Sequence, residues 1–430
     1  MIKILYKTVK HFFPSLRSDM NNIPEPRVKK SITYPMPHLI WLGILSFICK
    51  LGSRRQIRYN FNTEEFLQNL NFLTKEKDTT IADSDTLAYL LKKLDPVYTY
   101  TLIVKMIRSL LRMKVLSWWR LLGAYYMIAV DGTGHLVFKY RHCEHCLEKK
   151  LNNETIYYYH QVLEAKIVCS NGFAFSICTE FIENSDPNDD KQDCELKAFY
   201  RLAKNLKKYF PQLKIVLLLD SLYAAGPVFD ICKEYDWKYI ITFKEGSMPA
   251  TYEEFEALKK LQEENCGTLK KDNIIQHYRW VTDIDYQGHL LNVLECVEID
   301  SKKNVKKFVW ITNLSIDKYN FAIIANEGGR LRWKIENEGF NMQKNGGYNL
   351  EHTYSYNNFA IKNFYYLMQI AHIINQLIEK SFLLKNEFNK SIGSLKNIAF
   401  RILESLRTLK FDWDALSQEL SIPCQIRFPP

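Results

Sequence analysis

Apolar residues recur at helical spacing through the first 120 positions, then change to the short, dense runs of strands. Helical periodicity appears at 38–50, 63–72, 84–94 and 99–111. Asp83 or Ser84 can cap the third of these, and Asp95-Pro96 ends it. Residues 1–30 are basic and mixed, broken by Pro14, Pro24 and Pro26, and read as an arm or a short helix plus linker. The pattern predicts an all-helical domain over 1–120, with Trp118-Trp119 packing against the next domain.

Strand-like runs follow at 125–130, 136–140 and 165–180, the last with Asn171-Gly172 as a turn. Residues 192–208 predict a helix. Residues 214–219 are almost uninterruptedly apolar, as in a strand buried on both faces. A helix over 224–235 and a strand over 237–243 come next. Three strands, then helix–strand–helix–strand, is the order of a ribonuclease-H-like α/β domain. Residues 246–310 interrupt it with a short helix and strands at 274–284, 289–299 and 305–312, a β-rich insertion. Helices are expected again at 331–344, stopped by Asn345-Gly346-Gly347, and at 357–379 and 391–409. The expected domains are 1–120 helical, 121–245 and 311–385 catalytic, 246–310 insertion, and 386–430 a helical tail.

Composition narrows the class. At 430 residues the chain suggests two or three domains, and 47% hydrophobic with 14% aromatic residues allows a sizeable core. A formal charge of +10 is compatible with a polyanionic partner. No export signal stands out, and residues 39–51 are too short for a membrane span. Ten cysteines, mostly inside apolar runs, read as reduced core residues. A soluble cytoplasmic protein is expected, with no membrane association.

The chemistry lies in three acidic residues. Asp131 follows the run YYMIAV, Asp220 follows KIVLLL, and Glu336 lies on the helix expected at 331–344. Taken singly, Asp131 is an ordinary turn residue before Gly132-Thr133-Gly134, and Asp220 an ordinary N-cap before Ser221. Taken together, in the fold expected here, they are neighbours. Two carboxylates about 4 Å apart repel by about 1 kcal/mol in water, and more when partly buried. A pair of divalent cations removes that conflict, and a sparse Asp/Asp/Glu set suits magnesium.

With these motifs the chain resembles the DDE transposases of bacterial insertion sequences. It is most similar to the subgroup with a β-strand insertion before the last carboxylate and a Tyr, two residues, Arg, three residues, Glu, six residues, Lys signature. Arg332 and Glu336 fit that spacing, and AVDGTG and LLLDSLY match the first and second acidic motifs. The signature Tyr falls on Gly329. The signature Lys falls on Gln343, with Lys344 one place on. The resemblance spans about residues 120–380. It implies Asp131, Asp220 and Glu336 holding two magnesium ions, with manganese able to substitute and Glu338 as runner-up to Glu336. It implies Arg332 and Lys344 on phosphates. It implies double-stranded DNA as partner, both target and terminal inverted repeats, with the repeats recognised by the helical N-terminal domain. Catalysis on two ends implies a homodimer in the DNA complex, although no dimer motif is visible. The rival readings are a non-catalytic DNA-binding remnant and a plain metal-dependent nuclease.

Other motifs carry ordinary readings beside sharper ones. His142-Cys143-Glu144-His145-Cys146 holds one CxxC with two histidines. A structural zinc site needs four ligands, and His160 could join across a hairpin; the plain reading is a reduced loop. The acidic stretch 186–190 reads as a solvated loop. Glu195 reads as a neighbour of the metal site or as a surface salt-bridge partner. Trp280 and Trp310, in the insertion, are candidates for stacking on DNA bases or for packing a small sheet.

Overall fold

The computed structural model describes residues 1–151, 155–184, 192–387, 393–422 and 424–429, so the stretch 186–190 lies outside the described residues. The first 120 residues are helical, as their periodicity predicts. They hold α1 (Ile2–Phe12), α2 (Leu16–Asn21), α3 (Met36–Ile48), α4 (Arg55–Phe61), α5 (Glu64–Thr74), α6 (Ser84–Lys93) and α7 (Pro96–Arg112). Asp83 caps α6, and Asp95 caps α7, which carries Pro96 in its first turn. The basic N-terminal stretch is not a loose arm: α1 buries Ile2, Leu5, Val9 and Phe12 along one face.

Among the described residues ten strands form one sheet. They are β1 (Tyr126–Phe138), β2 (Leu147–Lys150), β3 (Ile156–Val168), β4 (Ala174–Ile182), β5 (Ile215–Leu219), β6 (Lys238–Thr242), β7 (Cys266–Lys271), β8 (Ile274–Tyr286), β9 (His289–Ile299) and β10 (Val305–Thr312). Their order is β2-β3-β1-β5-β6-β10-β9-β8-β7, with β4 also on β3. β1, β5 and β6 run parallel, and the other pairs are antiparallel. Two expectations are corrected. The runs at 125–130 and 136–140 are one strand, because Asp131–Gly134 continue the ladder with β3, and only a bulge separates Gly134 from Leu136. The insertion also forms no sheet of its own: β10 pairs with β6 and extends the central sheet.

Helices α8 (Glu195–Tyr209), α9 (Gly226–Tyr235) and α10 (Pro249–Leu261) follow β4, β5 and β6. Alternation along the strands splits the core. Ile128, Val130, Leu217 and Leu219 join Phe199 and Leu202 of α8 and Val228 and Phe229 of α9. Met127, Ala129, Val216 and Leu218 join Leu331, Ile335 and Phe340 on the opposite face.

Those last three residues belong to a helical segment that begins ten residues before the expected helix. α11 (Phe321–Ile323) passes into a wide π-type stretch at Ile324–Gly328. A tight 3-10 stretch follows at Gly329–Trp333, then a second π-type stretch at Ile335–Asn341, then α12 (Met342–Asn345). Beyond it lie α13 (Asn358–Lys380), α14 (Phe382–Glu387), α15 (Leu395–Thr408) and α16 (Trp413–Ser421). α13 packs on α3, α6, α7 and β4. α3 is buried at every residue and so is enclosed rather than laid on a surface. One continuous core therefore joins the N-terminal helices, α13, the C-terminal helices and one face of the sheet. Among the described residues no helix is long and apolar enough to cross a membrane.

Candidate functional site

Asp131 lies within β1, on the face that carries Met127 and Ala129. Asp220 directly follows β5. The parallel ladder sets Tyr126 opposite Ile215 and Ala129 opposite Leu218. Carried two residues further, the same offset sets Asp131 opposite Asp220 on neighbouring strands, about 4.8 Å apart in backbone spacing. Asp220 also caps the turn after β5, accepting from the Leu222 N–H at 2.9 Å. Its ordinary N-cap reading is thus true as well.

Glu336 is brought against Asp131 by Arg332. Arg332 Nη1 donates to Asp131 Oδ2 at 3.3 Å, and its Nη2 lies 3.0 Å from Glu336 Oε1. Arg332 is buried, whereas Glu336 keeps an open side. Burial pushes the Asp131 carboxyl up to about 7; Arg332 pulls it down, and the adjacent Glu336 pushes it up. Glu338 turns elsewhere, to Lys334 Nζ at 2.5 Å and toward the turn at Gly172.

The helical segment is held in place from the insertion. Arg330 pairs with Glu298 of β9 and stacks on Phe308 at 4.4 Å. Asn326 donates to Gln276 Oε1 at 3.1 Å and to Tyr278 Oη at 2.9 Å, both on β8. The insertion therefore braces the segment that carries Arg332 and Glu336.

Both departures from the signature have structural reasons. A Cβ on Gly329 would stand 2.5 Å from Trp310 Nε1, so the indole fills the space a side chain needs. Gln343 is fully buried and donates to Gln369 Oε1 at 2.7 Å, a place unsuited to a lysine on DNA. Lys344 stays near the surface, 2.9 Å from Glu351 Oε1. In an α-helix a one-residue shift turns a side chain about 100°. The π-type stretch at Ile335–Asn341 takes more residues per turn and works against that shift.

Trp280 and Trp310 are not free to meet bases. Each is 4% exposed. Trp280 stacks on Phe321 at 5.1 Å and Trp310 on Phe308 at 5.9 Å, so both pack the second core instead. Trp333, which the sequence did not single out, is 53% exposed beside Arg332. Its signal was its place next to the signature Arg.

Glu195, at the start of α8, joins the carboxylates. It accepts from Gln161 Nε2 at 2.5 Å, and a Cβ on Gly132 would overlap it. Burial and then Asp220 push its carboxyl up. Tyr223 is a residue the sequence did not single out. Its buried hydroxyl has no hydrogen-bond partner, and burial followed by Glu195, Asp220 and Asp131 pushes it far up.

The donor set suits a hard cation. It offers carboxylate oxygens, with an orphaned hydroxyl beside them and Arg332 as counter-charge. The carboxylates are spread more widely than the ligands of one small ion. Among the described residues only His142, Cys143, Cys146 and His160 bring three or more ligand atoms all within 4.8 Å of one another. Neither the protein-family models nor the curated proteins contain a match to this chain.

Proposed function

We propose that the chain is a DDE-type DNA transposase, a magnesium-dependent enzyme that cuts element-end DNA and joins it to target DNA. The observation that carries this is the β1–β5 register, which, carried two residues past its last pair, sets Asp131 opposite Asp220, with Glu336 drawn to Asp131 through Arg332. The strand order β4-β3-β1-β5-β6, antiparallel in its first three members and parallel in its last, supports a ribonuclease-H-like catalytic fold.

Asp131, Asp220 and Glu336 would hold two magnesium ions, whose chemistry is to activate the attacking oxygen and stabilise the leaving one. Arg332, released from the carboxylates, is a bidentate donor for the scissile phosphate. Lys344 offers a point charge further along the strand. Trp333 offers an exposed face on which a base can stack. Lys270, Lys271, Lys302, Lys303 and Lys306 are exposed at one end of the β7–β10 meander and suit the phosphates of double-stranded DNA. A homodimer on two DNA ends remains part of this reading.

One observation favours a second reading, a non-catalytic DNA-binding remnant. Arg332 is paired with both Asp131 and Glu336, and so occupies carboxylate oxygens that two ions would need. Strand transfer separates the readings. The full chain, given magnesium and DNA bearing the segments that flank its reading frame, should nick those ends and join them to a plasmid. Binding without cutting, in magnesium and in manganese, would favour the remnant; cutting without joining would indicate a plain nuclease.

A further inference from the structure

We propose that His142, Cys143, Cys146 and His160 form a structural zinc site at the outer end of the β1–β3 ladder. The four residues come from two places. His142, Cys143 and Cys146 lie on the turn between β1 and β2, and His160 lies on β3, opposite Leu136. Their ligand atoms converge. Cys143 Sγ and Cys146 Sγ are 3.6 Å apart. His160 Nε2 stands 3.5 Å from the first sulfur, 3.6 Å from the second and 3.0 Å from His142 Nε2.

Those separations are close to four of the six edges of a zinc tetrahedron, and all four ligand atoms lie within 4.8 Å of one another. Bonds of about 2.3 Å to sulfur and about 2.0–2.1 Å to nitrogen give edges of about 3.8 Å (S–S), 3.5 Å (S–N) and 3.3 Å (N–N). The sulfur pair and the nitrogen pair are tighter than this by a few tenths of an ångström, and both sulfur–nitrogen separations match. A disulfide does not describe the geometry, since it needs sulfurs about 2.05 Å apart. Cys146 and His160 are buried, and four protein ligands leave no open position, so the site is structural rather than catalytic. The soft sulfur and imidazole set also differs in kind from the carboxylates around Asp131, so the two sites select different metals.

The placement gives the ion a task. Leu136 lies five positions beyond Asp131 on β1, about 16 Å along the strand. The turn between β1 and β2 carries Tyr140, 81% exposed, and has little apolar burial of its own beyond Cys146. His142 touches the rings of Phe138 and Tyr356, so zinc would also draw the 350–356 loop onto the end of β1. The inference rests on these four residues and not on the proposed DNA chemistry.

The test is metal content by mass spectrometry on the full chain, purified without a metal-affinity tag and dialysed exhaustively. About one zinc per chain is expected. It should persist in Asp131→Asn and Asp220→Asn, and fall at least about tenfold in the Cys143→Ser/Cys146→Ser double variant. Should that variant fail to fold, the unaltered chain refolded with cobalt decides. Intense visible bands with a thiolate charge-transfer band support tetrahedral sulfur–nitrogen ligation. A chain that carries no zinc and takes up none with its thiols reduced, a pale octahedral cobalt spectrum, or zinc lost with the aspartates overturns the proposal.

Discussion

Arg332 reaches from the late helical segment to the first strand, where its Nη1 donates to Asp131 at 3.3 Å. It is a cation shared by Asp131 and Glu336, which stand side by side. Arg332→Ala should therefore lower unfolding free energy in chelator by about 1–3 kcal/mol, the range for leaving a partly buried charge unpaired. Magnesium should recover more stability in this variant than in the unaltered chain. Thermal melts with and without magnesium check this; equal magnesium shifts in both proteins would count against cation exchange at the site.

Gly329 and Trp310 give a packing prediction. Gly329 has an ordinary helical φ of -54, so its need is space and not backbone freedom. Gly329→Ala should cost about 1–3 kcal/mol by overpacking against the indole. In a Trp310→Leu background the same substitution should cost much less. Denaturant unfolding of the four proteins measures the coupling, and additive costs would show that the indole is not the obstacle.

Glu164 and Lys166 are both fully buried on the site's face of the sheet, 3.6 Å apart. Glu164 also accepts from Ser176, from Thr179 Oγ1 at 2.7 Å and from Tyr365 Oη at 2.8 Å. Lys166 has, besides Glu164, Gln369 Oε1 at 3.0 Å. The carboxylate is the better-satisfied partner. Glu164→Leu strands the ammonium and should cost about 3–5 kcal/mol; adding Lys166→Met should return part of that loss. Urea titrations that rank the double variant below Glu164→Leu would reverse this assignment.

The lysines at the end of the meander give a prediction about DNA. Replacing Lys270, Lys271, Lys302, Lys303 and Lys306 by Gln should weaken binding to duplex DNA and flatten its dependence on salt, by about 0.9 in logarithmic slope for each phosphate no longer neutralised. Folding should be unaffected, because all five side chains are exposed. Fluorescence anisotropy across a salt series checks it. An unchanged slope would move the DNA to another face.

Much of this was legible in sequence because local signals and tertiary packing agreed. The runs that became β5, β6, β8, β9 and β10 were dense enough to read directly, and Asn171-Gly172 does turn the chain, with Gly172 at φ 87. Asp131 was harder. Asp-Gly is a turn signal, yet here β3 pairs across it and holds it in a strand. β2 and β7 escaped notice because their polar, exposed residues lack a buried face. The helix at 331–344 was read with a uniform period, whereas the segment alternates wide and tight turns that periodicity does not encode. For Trp280 and Trp310 sequence left both base stacking and sheet packing open, because it does not reveal that Phe321 and Phe308 cover them. His160 was visible as a candidate partner for the CxxC, but its convergence on the two thiols depends on the β1–β3 register.

The central claim is that Asp131, Asp220 and Glu336 act together on a phosphodiester. The most direct measurement is single-turnover cleavage of DNA carrying the element's own ends, in magnesium and in manganese. The unaltered chain is compared with Asp131→Asn, Asp220→Asn, Glu336→Gln and Glu338→Gln. An amide keeps the shape of a carboxylate but neither offsets nor bridges the ions' charge. Each of the first three substitutions should therefore abolish cleavage while leaving folding and DNA binding intact, and Glu338→Gln should keep most activity. Cleavage that survives Asp131→Asn and Asp220→Asn would contradict the account.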